Sequence, residues 1–310
     1  MSEAQSSASA ATTTTESTGL LDQVIGATKQ TERDEAANMI RVLTEQALKG
    51  TVTFDRNLLR TFNRAIAEID AKLSDQLNQI MHNERFTKLE GSWRGLHYLV
   101  MNSDAPTTTL KIQLMQATKR ELKSNLFKKI YENEFGTPGG QPYGALVGDY
   151  EWSNHPDDIE TLRLISNVAA ASFAPFVSGV SPKMFGFEDW QELSKPRDLA
   201  KIFDATEYGK WRGFRDSEDS RFVSLVMPRV LARVPYGAAT KPIEEFGYEE
   251  APFDENGKAK AMDHHHYCWM NAAYVMAQRM SESFAETGFC VTIRGAEGGG
   301  KVVNLPQLRS

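Results

Sequence analysis

Gly144-Ala-Leu-Val-Gly-Asp-Tyr150, followed at once by Pro156-Asp-Asp-Ile159-Glu-Thr-Leu162-Arg-Leu-Ile165, decides the fold class of this chain. The first stretch is a short apolar run of strand character. The second opens with a proline, which suits the first position of a helix because its missing N–H would have no partner there. Asp157 and Asp158 then fall in the first turn, where the helix dipole favours acids. Ile159, Leu162 and Ile165 recur at helical spacing. A strand running into a helix is the unit from which α/β proteins are built.

Outward from this unit the same alternation continues. Leu110-Lys-Ile112-Gln-Leu114 alternates with period two and reads as a half-buried strand, with a helix around 118–132 after it. Residues 222–227 (FVSLVM) and 289–293 (FCVTI) read as further strands, with a helix at about 265–285 between them. The expected class is α/β (mixed α+β), with a mixed, partly parallel sheet.

Three stretches precede that domain. Residues 1–19 (MSEAQSSASAATTTTESTG) are low in complexity and nearly free of large apolar side chains, so they predict a disordered tail. Residues 20–54 follow. Leu20, Leu21, Val24 and Ile25 share one face of a short helix, with Thr18 as N-cap and Asp22 in the first turn. A second helix is expected from Asp34 to Lys49, stopped by Gly50, and Thr51-Val52-Thr53-Phe54 is β-prone. From Asp55, the start of a core running over 55–310, a long helix carries Leu59, Phe62, Ile66, Ile69, Leu73 and Ile80 in alternating steps of three and four. Such a seam suits packing along another helix.

Composition narrows the function. The chain has 310 residues, a net charge of −6, 41% hydrophobic and 25% charged residues, as an ordinary globular protein does. The negative charge disfavours nucleic acid and anionic membranes as partners. No apolar run approaches the ~20 residues that span a bilayer, so no membrane insertion is expected. Two cysteines, Cys268 and Cys290, form no disulfide framework and suit a reducing, cytoplasmic compartment.

Candidate chemistry is thin. Gly295-Ala-Glu-Gly-Gly-Gly-Lys301 fits the phosphate-binding pattern G-x-x-x-x-G-K after a strand. Val302 stands where the magnesium-binding hydroxyl belongs, however, and Pro306 lies where a helix should open, so a glycine connection is the better reading. His264, His265, His266 and Cys268 have the side chains of metal ligands but not the four-ligand spacing of a structural zinc site, and read as a polar lead-in to a helix. Lys210-Trp-Arg-Gly-Phe-Arg215 mixes basic and aromatic residues, yet Asp216, Glu218 and Asp219 follow, which predicts a surface loop with internal ion pairs. Pro228 and Pro235 bracket an extended edge or connecting segment in which Arg229 and Arg233 either meet carboxylates or serve an interface. No catalytic constellation stands out. No cofactor, metal or enzymatic activity is expected. Two other readings stay open: a nucleotide-binding protein using Gly295–Lys301, and an adaptor recruiting one helical partner.

Five blocks carry a family resemblance: Phe86-Thr-Lys-Leu-Glu-Gly-Ser-Trp93-Arg94-Gly95-Leu96, Tyr143-Gly-Ala-Leu-Val-Gly-Asp149-Tyr150, Pro228-Arg-Val-Leu-Ala-Arg233-Val-Pro235-Tyr236-Gly237, Trp269-Met-Asn-Ala-Ala-Tyr274 and Phe289-Cys-Val-Thr-Ile-Arg294-Gly. With them the chain resembles the large sheath subunit of the type VI secretion system, the TssC/VipB family. The resemblance implies a sheath-type α/β domain behind an N-terminal helical segment. Its implied partners are the small subunit TssB/VipA, further copies of itself in a helical polymer, the Hcp tube, baseplate components and the AAA+ ATPase ClpV. It also implies that Leu20, Leu21, Val24 and Ile25 lie in the helix gripped by ClpV, and it makes Thr51–Phe54 a candidate for the strand passed to a neighbour's sheet. Members of the family are longer, so the C-terminal region that adds strands to that sheet is expected to be missing after Ser310.

Overall fold

The computed structural model describes residues 38, 41–42, 58–103, 110–238, 240–244, 246–251, 262–290, 293, 302 and 304–306. The tail at 1–19, the Leu20, Leu21, Val24 and Ile25 stripe, Thr51–Phe54 and the Gly295–Lys301 loop lie outside the described residues. The chain divides into two compact units, one of Met1–Gln79 with Tyr236–Ala251 and one of Ile80–Pro235 with Pro252–Ser310. In order the helices are α1 (Leu58–Met81), α2 (Glu84–Asn102), α3 (Lys119–Leu126), α4 (Pro156–Ser172), α5 (Gly209–Arg215) and α6 (Ala272–Thr287). The strands are β1 (Leu146–Trp152), β2 (Phe176–Val180), β3 (Val223–Val226), β4 (Val230–Leu231) and β5 (Trp269–Met270).

In the larger unit β1, β2 and β3 form a parallel sheet in that order, and β4 pairs antiparallel with β5 in a separate ladder. The expected α/β class, with strands and helices alternating, is the observed one. α4 carries the chain from β1 to β2, and its start was legible in the sequence. Pro156 occupies the first turn with Asp157 and Asp158, and the His155 ring accepts the Asp157 N–H. Phe173, in the left-handed region at φ 52°, ends the helix, and its N–H returns to the Ala169 and Ala170 carbonyls.

β2 is buried at every position, as a strand covered on both faces must be. Phe176 and Val180 join Trp152 and the Ile159, Leu162 and Ile165 side of α4 in the main core. Alternation sends Gly179 to the other face, where any side chain would strike the Asn271 amide at the head of α6. Trp152, wholly buried, donates from its indole N–H to Ser178 Oγ at 2.9 Å, and that hydroxyl donates to the Gly148 carbonyl at 2.8 Å. The buried polar groups at the sheet centre therefore satisfy one another.

Four expectations need correction. Leu110–Leu114 forms no strand; residues 110–117 carry no regular element and Leu114 is 71% exposed. Alternation reports which side chains share a face, not whether a partner strand is present. Phe289, Cys290 and Ile293 are likewise irregular. α6 starts later than 265, because His264–His266 form one 3₁₀ turn, Trp269 and Met270 are taken up by β4, and Asn271 caps the helix through the Ala273 N–H at 2.9 Å. Lys210–Arg215 is no surface loop but lies in α5. Phe214 is buried there, Trp211 packs on the core, and Arg212 donates to the Phe203 and Ala205 carbonyls at 2.7 Å each.

In the smaller unit α1, as far as Gln79, is joined to the 236–251 segment. The Tyr248 hydroxyl donates to Asn78 Oδ1 at 2.8 Å, and the Tyr248 ring makes tilted contacts with Tyr236 and Phe246. Glu250, 2% exposed, accepts the Tyr236 N–H at 2.8 Å.

Two leucines of α4 test the assignment of its buried face. Leu162 is fully buried and Leu164 is 41% exposed. Leu162→Ala is expected to lower stability by about 2–5 kcal/mol and Leu164→Ala by less than about 1 kcal/mol, read from urea unfolding.

Candidate functional site

The blocks quoted for the family resemblance lie far apart in sequence, and four of them meet in one joint of the larger unit. Gly91 and Gly95 are one helical turn apart on the same face of α2. A side chain on Gly91 would collide with the Trp269 carbonyl, and one on Gly95 with the Tyr274 ring. Two missing side chains thus let α2 lie directly on β5 and α6.

Beside that contact, Glu90 Oε1 accepts from Arg233 Nε at 2.6 Å and from Arg94 Nε at 2.7 Å, and Oε2 lies 3.3 Å from Arg233 Nη2. The side chains of Glu90 and Arg233 are 10% and 5% exposed. Burial alone would raise the Glu90 carboxyl; the hydrogen bonds from the two arginines outweigh it and hold the group below its ordinary value. Cys268, buried next to them, has its thiol pushed up to about 12 by burial and then by the Glu90 charge. It is a protonated core thiol, turned to Glu90 and not to the histidines.

Arg229 closes a second bridge, a two-pronged pairing with Glu151 of β1 in which Nη2 meets Oε2 at 2.6 Å. Both arginines that the sequence left undecided therefore meet carboxylates. Asn271 ties α6 to β1 by donating to the Tyr150 carbonyl at 2.9 Å. Burial, and then the Asp149 charge, raise the Tyr274 phenol. Lys119 lies 4.5 Å over the Trp152 ring and donates to the Glu151 carbonyl at 2.6 Å and to Asp158 at 3.0 Å. Burial would raise the Asp158 carboxyl, but its bonds from Ser153 and Lys119 lower it.

The outward surfaces are of the opposite character. On α1 the seam residues Ile66, Ile69 and Leu73 are 50%, 53% and 44% exposed and Phe62 is half-buried; Leu59 lies in the helix. On α2, Phe86, Leu89, Trp93 and Val100 share the face turned away from Gly91 and Gly95, and Leu89 and Trp93 are more than half exposed. An open cleft of about 550 Å³ runs beside this face, lined by Trp93, His97, Met101 and Pro306 among others. Phe127, Phe135 and Phe173 add a third apolar area. The sequence marked the α1 seam; on α2 it shows Phe86, Leu89 and Trp93 at helical steps of three and four, but not that the face they share is exposed. No helix among the described residues is long and apolar enough to cross a membrane.

A joint made from dispersed sequence blocks thus lies behind an α2 face whose apolar side chains are exposed. Residues 63–310 match the family described as EvpB/VC_A0108, tail sheath N-terminal domain (VipB). The chain belongs to this family. It is 44% identical over 311 aligned residues to the type VI secretion system sheath protein TssC1 of Pseudomonas aeruginosa, covering 95% of the present chain and 61% of that relative.

Removing one partner of a buried ion pair strands the other charge. Arg233→Ala is expected to destabilise the chain by about 3–5 kcal/mol in urea unfolding. For Glu90→Gln the pH dependence is diagnostic. The Glu90 carboxyl is depressed below its ordinary 4.5, so its stabilisation is complete above that pH and is lost as pH falls through the lower folded-state value. The gap in unfolding midpoint between wild type and Glu90→Gln should therefore be widest near neutrality and close in acid.

Proposed function

We propose that this chain is a structural subunit of a type VI contractile sheath, that it acts in the cytoplasm, and that it catalyses no reaction. The carrying observation is the pair of exposed apolar helix faces on α1 and α2, set against a joint held by the Glu90–Arg233 and Arg229–Glu151 ion pairs. Monomeric proteins rarely expose contiguous apolar surface of this kind. Covering each half-exposed Ile, Leu or Trp adds on the order of 1 kcal/mol, so a row of them supports a stable subunit contact.

In this reading the α1 seam, Leu59, Phe62, Ile66, Ile69 and Leu73, packs against a helix of the small subunit TssB/VipA. The α2 face serves neighbouring subunits in the polymer. Thr51–Phe54 adds as a strand to a neighbour's sheet, which needs main-chain hydrogen bonds and little side-chain specificity. The polymer surrounds the Hcp tube, meets the baseplate at one end, and drives the tube by passing to a second, tighter packing of rigid subunits. Leu20, Leu21, Val24 and Ile25 form the helix that ClpV grips when the spent sheath is dismantled. Gross burial of four such side chains is worth about 6–12 kcal/mol, from which ordering of the segment removes ~2–5 kcal/mol. The remaining affinity is modest, and many copies on one polymer multiply it.

Co-expression with the small subunit, viewed by negative-stain microscopy, tests assembly. Tubular polymers are expected from the wild type, and Ile69→Asp with Leu73→Asp should abolish them while circular dichroism stays unchanged. A one-to-one complex that never lengthens would replace the sheath by an adaptor. Deleting residues 20–28 should spare polymer formation and remove ClpV docking. Undiminished ClpV binding would reject that assignment.

A further inference from the structure

The histidines at 264–266 have no further ligand completing a zinc-site spacing in the sequence. The fold supplies one. Asp189, at the head of the Trp190–Ser194 turn, comes beside them: His265 Nε2 lies 3.2 Å from Asp189 Oδ2, and His264 Nδ1 lies 3.8 Å from Asp189 Oδ1. The three donor atoms fall within 4.8 Å of one another. We propose that Asp189, His264 and His265 bind a divalent first-row transition ion such as Zn²⁺, which clasps the 189–194 turn to the segment leading into β5.

Two of the three donors are already held. The Trp190 backbone N–H donates to Asp189 Oδ1 at 2.5 Å, which leaves Oδ2 toward His265. The His264 ring stacks on Trp269 at 4.7 Å, and its carbonyl accepts the Trp269 indole N–H at 2.9 Å. Ions of this class bind imidazole nitrogen and carboxylate oxygen at roughly 2.0–2.2 Å, which brings donor atoms in a tetrahedral shell to about 3.3–3.6 Å from one another. The Asp189–His265 pair is close to that separation, and His264 Nδ1, 3.8 Å from the other carboxylate oxygen, closes in on the ion when it binds. Two imidazoles and one carboxylate on one side of an ion form a recognised transition-metal set, with the open positions left to water. His265 is 68% exposed, so the open side faces solvent. His266 is not part of the set, since its ring stacks on His82 at 4.5 Å. Cys268 faces Glu90 and is also outside it.

The test is calorimetric titration of the full, tag-free chain with Zn²⁺, with Co²⁺ absorption as an independent readout. One saturable ion per chain is expected, together with a rise in melting temperature and a Co²⁺ spectrum showing nitrogen ligation. His265→Ala and Asp189→Asn should each weaken binding about tenfold or more. His266→Ala and His155→Ala should leave it unchanged, and Mg²⁺ should not compete, because it favours an all-oxygen shell. Asp189→Asn keeps an acceptor for the Trp190 N–H; if it still unfolds, the largely exposed His265→Ala decides alone. Failure to saturate below millimolar Zn²⁺, or full binding by His265→Ala, would leave an ordinary Asp–His contact and overturn the clasp.

Discussion

A carboxylate held between two guanidiniums sets the geometry of the larger unit. Glu90 stands on α2, Arg94 one turn on, and Arg233 just beyond β4, so their meeting fixes where the helix lies against the small antiparallel ladder. Burying such a set carries a large desolvation penalty that attraction only just offsets. Its contribution is therefore less to net stability than to orientation: Arg94 is on α2 itself, and it is Arg233 that ties Glu90 to the segment beyond β4. Gly91 and Gly95 then decide how close the helix comes, since any side chain at either position meets β5 or α6. Charge gives the direction of the contact, and the missing side chains give its depth.

The interior and the surface of this chain have opposite properties. Inside, Trp152 bonds Ser178 between β1 and β2 and Asn271 ties α6 to the Tyr150 carbonyl, while the half-buried Arg229 pairs with Glu151 of β1. Outside, the rows on α1 and α2 are apolar and carry few polar groups to fix a single partner geometry. Closely packed interiors resist gradual deformation, whereas surface contacts of this kind can be remade. The family to which the chain belongs is one of tail sheath proteins, and this division between stiff interior and permissive surface is what a mechanical subunit requires.

Legibility in the sequence followed the range of the interactions. α4 could be read because everything that makes it, from Pro156 and Asp157 to Ile159, Leu162 and Ile165, lies within a few turns. β2 was missed: FVSGV is five residues long, buried on both faces, and so shows no alternation. Leu110–Leu114 erred in the other direction, with alternation and no ladder. Arg229 and Arg233 were visible as candidates, but their carboxylates, Glu151 and Glu90, belong to distant segments. The same holds for Asp189 beside His264. Gly91 and Gly95 stood within a quoted motif, yet only the Trp269 carbonyl and the Tyr274 ring explain why they are glycines.

The uncovered rows on α1 and α2 make stoichiometry a matter of protein quality control. A chain produced in excess of whatever covers Ile66, Ile69, Leu89 and Trp93 keeps those side chains wet, and two such chains offer each other the same greasy surface. Production matched to whatever covers these rows would then protect the cell from deposits.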